Sequence, residues 1–380
     1  MPPESPQDRV SAEPRSLVIH NHGRSWGGNE KWLATLAARL IERGHRVTVA
    51  TQPDGPVGTE LARRGIPVHA VRPGGYADLV RAFAFTRWLR RERPDAVLLT
   101  SRMGAFWGAL GARRAGVRRV VSRAGIASTP DEWRHQLPFR RWIDAVIVNS
   151  RQIAELWHRD APWFPADGVR VVLNGIAPPP PLSPDERERM RRSICADPGA
   201  VLVAGVGHVH PRKGFDLLIR AVAALDRPDV RAVIVGAGPA EQPLRELAAQ
   251  LGIAEHVVWM GQRPDVPAIL AACDVFVLSS RNEGMANVML EAMAVGTPVV
   301  AVDISGVREA LGATEDAPAA GWIVPPEDAS AIAAAVAEVL GAREESSGEV
   351  ESRTAEARRR IDEWFSIDRM VDECEAILFG

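Results

Sequence analysis

The sequence predicts an α/β protein of two doubly wound domains. Three observations carry that expectation: apolar runs of strand length alternate with amphipathic segments, prolines interrupt the pattern near mid-chain, and the alternation then restarts. Parallel strands buried on both faces write such near-continuous apolar runs. A length of 380 residues also exceeds one ordinary core and suits two.

In the first half the strand candidates are "SLVIH", "RVTVA", "DAVLLT", "RRVVS", "DAVIVNS" and "VRVVLNG", with helical segments such as "NEKWLATLAARLIERG" between them. "IAPPPPLSP", residues 176–184, continues neither helix nor central strand and reads as an extended linker. Beyond it the strands "VLVAGVG", "AVIVGAG", "VVWMG", "DVFVLSS", "TPVVAVD" and "GWIVPP" follow. Residues 1–15 read as a polar, Pro-rich tail. Two such Rossmann-like domains are expected to face a central cleft, with ligands at the carboxyl ends of the strands.

With 46% hydrophobic and 25% charged residues the chain is globular and not mostly disordered. No apolar run reaches the roughly 18 to 20 residues that span a bilayer, and no basic-then-apolar leader opens the chain. A cytoplasmic location is therefore expected. Cys195, Cys273 and Cys374 lack metal-ligand spacing, which predicts inert thiols and neither zinc nor disulfides. Net charge is −2, but residues 1–180 hold 27 Lys+Arg against 16 Asp+Glu (+11), leaving 19 against 32 (−13). The basic half suits an anionic partner or surface; a merely solvated basic face is the plain alternative.

The chemistry-bearing loops follow second-half strands. "GVGHVHPRKGFDLLIRAV" passes from a strand through Gly205, Gly207, Arg212 and Lys213 into a helix, which joins positive side chains to a helix dipole and suits a diphosphate. Its spacing is neither a P-loop nor GxGxxG. The glycines of "VGAGP" admit a close backbone or a ligand, and Gly261 to Arg263 of "GQRPDVPAIL" are placed to read a flat base. In "RNEGMANVMLEAMAVGTPVVA", Glu283 falls in a post-strand loop, Asn287 reads as a helix N-cap, and Gly296 with Pro298 ends the helix. Glu291 then lies about one turn in, and eight residues span at most ~12 Å of helix. Taken alone, either glutamate reads better as an ordinary helix former that solvates a face.

Taken together, "RKGFDLLIRAV", "VGAGP", "LAACDVFVLSS" and "EGMANVMLEAMAVGTPVVA", with its E-x7-E spacing, resemble the retaining glycosyltransferases of the GT-B fold, particularly the GT4 family. "GRSWGGNEKWLATLAARLIERGHRVTVA", "DAVIVNS" and "VLNGI" extend the likeness over nearly the whole chain. The resemblance implies an N-terminal acceptor-side domain of residues 16–178 plus a returning terminal helix, 364–380, and a donor domain of residues 179–363. It also implies transfer of a sugar from a nucleoside-diphosphate-sugar to a glycan or glycolipid, as in lipopolysaccharide or other cell-surface polysaccharide synthesis. No metal, no cofactor beyond that co-substrate and no nucleic-acid partner are expected.

Carried over by residue, the resemblance implies that Glu291 binds ribose, Glu283 contacts the donor sugar, and Arg212 and Lys213 neutralise the diphosphate. Gly207, Arg263, Gly284, Met285, Ala286, Asn287 and Val288 would complete the donor site, with Gly27 and Gly28 approaching from the first domain. Two departures stand out. His208 occupies a position where many relatives carry Arg, and Arg123 stands where many carry a histidine near the transferred sugar. His22 and Arg123 are thus candidate acceptor or sugar contacts; His20 and His22 both follow the first strand and could approach the cleft, although for either one a structural or solvated histidine is the better reading.

For the acceptor side, residues 76–95 read as an amphipathic helix with Phe83, Phe85, Trp88 and several arginines, able either to rest on anionic lipid or to pack on the sheet. "RHQLPFRRW", residues 134–142, is a second basic-aromatic patch. The competing functions are a non-catalytic nucleotide-sugar-binding subunit, a transferase for a small-molecule acceptor, and an epimerase or hydrolase on a similar scaffold.

Overall fold

The computed structural model describes residues 13–23, 26–71, 75, 77–314 and 319–380. Residues 1–12 of the expected tail, Arg24 and Ser25 of the first loop, and Tyr76 lie outside them. The chain divides into two compact units, Met1–Leu173 with Ile367–Gly380, and Asn174–Ser366. The change of unit thus comes before the proline run, at the "NG" that follows the last strand of the first unit.

The first unit runs β1 (Ser16–His20), α1 (Gly28–Glu42), β2 (Arg46–Thr51), α2 (Pro56–Arg63), β3 (Val68–Ala70), α3 (Leu79–Glu92), β4 (Ala96–Leu99), α4 (Ala105–Ala115), β5 (Arg119–Ala124), α5 (Trp133–Arg141), β6 (Ala145–Val148), α6 (Arg151–Asp160) and β7 (Val169–Val171). Its sheet has the order β3-β2-β1-β4-β5-β6-β7, and the registered pairs are parallel. Six of these strands coincide with apolar runs in the sequence. The seventh, β3, is three residues at the sheet edge, Val68 and His69 half-buried and Ala70 exposed, too short and too mixed to stand out as an apolar run.

The second unit holds α7 (Pro184–Ile194), β8 (Val201–Val206), α8 (Phe215–Leu225), β9 (Val230–Val235), α9 (Glu241–Gln250), β10 (Val257–Gly261), α10 (Val266–Ala272), β11 (Val275–Leu278), α11 (Asn287–Val295), β12 (Val299–Val302), α12 (Val307–Leu311), β13 (Trp322–Val324), α13 (Ala329–Glu344) and α14 (Glu349–Trp364). Its parallel sheet runs β10-β9-β8-β11-β12-β13. Both sheets reverse their winding beside the first strand of the unit, between β1 and β4 and between β8 and β11. A crevice opens at such a switch point, because the flanking loops leave in opposite directions.

The last helix, α15 (Ile367–Phe379), belongs to the first unit. Its Met370, Val371, Cys374, Ile377 and Leu378 are buried with Leu17, Ile19, Leu33 and Leu36. Polar bonds fix its outer side: Arg43 pairs with Asp372 and Glu375 at 2.7 Å, and Arg119 donates to the Ile377 carbonyl at 3.0 Å. Arg15, expected in the tail, is ordered by an N–H bond to His45 Nδ1 at 3.1 Å.

The amphipathic segment after residue 76 is shorter than expected. α3 begins at Leu79, with Asp78 accepting from the Arg81 N–H. Phe85 faces the core and Trp88 stacks on His69 at 3.8 Å, whereas Phe83 is 70% exposed. In the second patch Phe139 is buried, and the Arg140 guanidinium lies over Trp163 at 4.5 Å. Among the described residues no helix is long and apolar enough to cross a membrane.

Candidate active site

Two loops flank the switch point of the second sheet. Residues 207–214 follow β8 and include a 3-10 turn, Pro211–Lys213; residues 279–286 follow β11. The His210 imidazole accepts from the Arg212 N–H at 3.2 Å and shapes the turn. Gly214 then turns the chain into α8 at φ +64°, where a Cβ would lie 1.9 Å from the Ser279 carbonyl oxygen. Only glycine fits both the angle and the approach. The loops are bonded directly: the Arg281 N–H donates to the Arg212 carbonyl at 2.8 Å, and Ser279 Oγ to the Lys213 carbonyl at 3.1 Å.

That contact brings together residues 70 apart in sequence. Lys213 Nζ lies 2.6 Å from Glu283 Oε1, with both side chains largely enclosed. Arg212 donates to the Asn282 carbonyl at 3.1 Å and stands 3.9 Å from Glu283 Oε2, its side chain 41% exposed. Arg281 braces the base of the cluster through a bidentate pair with Asp216 at 2.8 Å and a second pair with Glu327. Burial raises the Asp216 carboxyl, but the Arg281 bonds outweigh it and hold that group below the usual carboxylate range.

The start of α11 corrects one expectation. Asn287 is the first helical residue and not the N-cap; Ala286 holds the cap position, with no side-chain bond to the helix. The helix thus begins one residue earlier than the residue type suggests, with Ala286 the last extended residue, while the Asn287 side chain is engaged away from the helix, its Oδ1 accepting from Asn174 at 2.7 Å. Gly284, Met285 and Ala286 are buried, so the polar groups they offer are backbone groups. Val288 is half-buried, as is Glu291, one turn into α11.

The other candidates are dispersed. Gly207 lies against the Lys213 stem, a Cβ there meeting Cε at 3.0 Å, and Gly236 of "VGAGP" brings its Cα over the Gly207 carbonyl, where a Cβ would sit at 1.8 Å. The "VGAGP" glycines thus admit a backbone. Arg263 forms a bidentate pair with Asp265 at 2.8 and 2.6 Å.

In the first unit, Gly27 caps α1 and its N–H donates to Glu30 at 3.2 Å, while Gly28 opens the helix. His20 is the last residue of β1, fully buried against Trp107 at 4.5 Å and Phe85 at 5.8 Å. Burial, then the neighbouring His22, lowers its pKa to about 3. His22 itself is half-buried. Arg123 is 8% exposed, donates to Asn29 Oδ1 at 2.6 Å and lies over the Trp32 ring at 4.1 Å; burial lowers its pKa to about 10. Both thiols that are buried, Cys273 and Cys374, are pushed up to about 12 by burial and are inert.

Residue-by-residue reading missed Arg281, Asp216, His210 and Asn174. Arg281 is one arginine among many, and its partners become visible only through the pairing of β8 with β11. Lys213 did carry a signal: of 46 basic residues only it and Lys31 are lysines.

Two doubly wound parallel sheets in one chain, each with its switch point beside its first strand, are the architecture of the GT-B class of glycosyltransferase folds. The profile described as "Glycosyl transferases group 1" matches residues 186–359, and that described as "Glycosyltransferase Family 4" matches residues 26–178. The chain is 30% identical, over 75% of its length and 73% of the relative's, to a D-inositol 3-phosphate glycosyltransferase of Stackebrandtia nassauensis. It is 29% identical to the lipopolysaccharide core biosynthesis glycosyltransferase LpsE of Rhizobium meliloti, covering 85% and 88% of the two chains. The crystal structure of Anabaena Alr3699/HepE in complex with UDP and glucose superposes with a TM-score of 0.82 at 21% identity, covering 95% and 98%. The chain belongs to the group 1, family 4 glycosyltransferases.

Proposed function

We propose that the protein is a retaining, metal-independent transferase that moves a sugar from a nucleoside-diphosphate-sugar to a hydroxyl of a glycan or glycolipid. The observation that carries this reading is the cluster of Arg212, Lys213 and Glu283 in the same loop system as the uncapped start of α11. When the bond from the anomeric carbon to the diphosphate oxygen breaks, negative charge develops on the leaving group. Fixed cations and helix amides stabilise that charge without reorganising. The acceptor oxygen bonds the same face of the carbon, and its proton passes to the departing diphosphate oxygen. Glu283 is assigned to the sugar hydroxyls, oriented by Lys213, and Glu291 to the ribose. HepE, solved in complex with UDP and glucose, supports a nucleotide donor for this fold. LpsE supports a cell-surface glycan or glycolipid acceptor.

The acceptor is assigned to the first unit. There α3 exposes Leu79, Val80 and Phe83 at 62%, 80% and 70%, followed by the exposed Arg87, Arg90 and Arg91. An apolar edge with a cationic flank suits the surface of an anionic membrane.

A thermal-shift screen with nucleoside diphosphates and nucleotide-sugars, in the presence of EDTA, tests the donor reading. At least one should raise the melting temperature in a concentration-dependent way. Glu291→Ala should weaken free diphosphate and nucleotide-sugar alike, while Glu283→Ala should weaken chiefly the nucleotide-sugar. No shift with any donor, where a known relative responds, sinks the proposal.

A further inference from the structure

Asn174 belongs to "VLNGI", a stretch the donor chemistry above leaves without a role. It is the first residue of the second unit, 2% exposed, and donates to two residues more than a hundred positions away. Its Nδ2 lies 3.2 Å from the Met285 carbonyl and 2.7 Å from Asn287 Oδ1.

The chemistry of these partners orients both amides. A carbonyl only accepts, so Asn174 must turn its nitrogen towards Met285, and the second hydrogen of that nitrogen then requires an acceptor from Asn287. The Asn287 nitrogen consequently occupies the other branch of its planar amide, turned away from Asn174.

The two bonds straddle Ala286, the N-cap of α11, which has no side chain able to cap the helix. From another side Gly306, at φ +81°, packs so closely that a Cβ would lie 2.2 Å from the Gly284 carbonyl oxygen. The direction of the first α11 amides is thus set from outside the helix, by Asn174 and by the Gly306 turn.

We infer that Asn174 is a positioning residue: by holding the Met285 carbonyl and the Asn287 side-chain oxygen it fixes the backbone at the start of α11, the helix end assigned above to the donor diphosphate. The inference rests on the donor reading above. It differs from a general packing role because it acts through two named acceptors at one helix end.

Asn174→Ala removes both bonds. Asn174→Asp keeps the shape but sets a carboxylate against the Met285 carbonyl. Hydrogen exchange and calorimetric titration with UDP and GDP are measured on the full-length protein. Both variants should speed exchange in residues 284–290 while β8 and β11 stay protected, and should weaken the diphosphate that the wild type binds by about tenfold or more. Asn174→Ala combined with Asn287→Ala should cost less than the sum of the two single changes, since the two residues share one bond and only the bond to the Met285 carbonyl belongs to Asn174 alone. Unchanged exchange in residues 284–290, or additive losses in the double variant, overturns the inference. If the wild type binds neither diphosphate, the donor reading is what fails, and exchange in residues 284–290 still decides whether Asn174 holds the loop.

Discussion

Lys213 stands out in a chain that otherwise meets nearly every cationic need with arginine. Its stem runs along Gly207 and its ammonium reaches Glu283 at 2.6 Å as a compact point charge, where arginine would bring a longer, planar fork of donors. Lys213→Arg should therefore fail to substitute, with kcat/KM down roughly tenfold or more in a transfer assay; a fully active Lys213→Arg enzyme would show that charge alone suffices. His20 makes a different prediction, about acid. Its folded pKa is lowered to about 3 by burial and by His22, so between that value and the usual 6.5 the unfolded chain binds a proton that the folded chain refuses. Stability from this group is full above about pH 6.5 and is lost as pH falls towards 3, at up to about 1.4 kcal/mol per pH unit. His20→Leu should flatten the fall of melting temperature from about pH 6.5 to 4.5 relative to wild type; an unchanged slope would place the acid sensitivity elsewhere.

At the scale of elements, α11 and α3 show how far a pattern in sequence can be trusted. The strand, loop and helix around Glu283 and Glu291 were legible because buried parallel strands are continuous apolar runs and glycine with proline marks the helix end. The cap was not: Asn287 has the right residue type, but a bond from a distant asparagine occupies its oxygen. α3 was legible as amphipathic, yet its two possible partners, sheet and lipid, ask for similar residues. In the fold Phe85 and Leu89 go to the core, and Leu79, Val80 and Phe83 are left outside. Val80→Ser with Phe83→Ser should lower co-sedimentation with phosphatidylglycerol vesicles several-fold and leave melting unchanged, since these side chains are mostly exposed. Equal partitioning of variant and wild type would remove α3 from any lipid contact.

For the whole molecule, the first unit depends on the last helix. Removing residues 367–380 strips Met370, Val371, Cys374, Ile377 and Leu378 from its core. Each large buried side chain carries about 2 to 5 kcal/mol, against a typical total stability of about 5 to 15. The truncated chain should lose exchange protection in β1 and β5 while β8 to β12 keep theirs; uniform protection would show that α15 is dispensable. The sequence by itself determined the two-sheet α/β plan, nearly all the strands, and the residue types of the donor loops, because these are written in local apolar runs and turn residues. Only the tertiary structure decided which side chains meet. Lys213 with Glu283, Arg281 with Asp216 and Asn174 with Asn287 are joined across long stretches of chain. What joins the first two is the order β8-β11, a non-consecutive pairing set by the packing of the whole sheet and legible in no local run of residues.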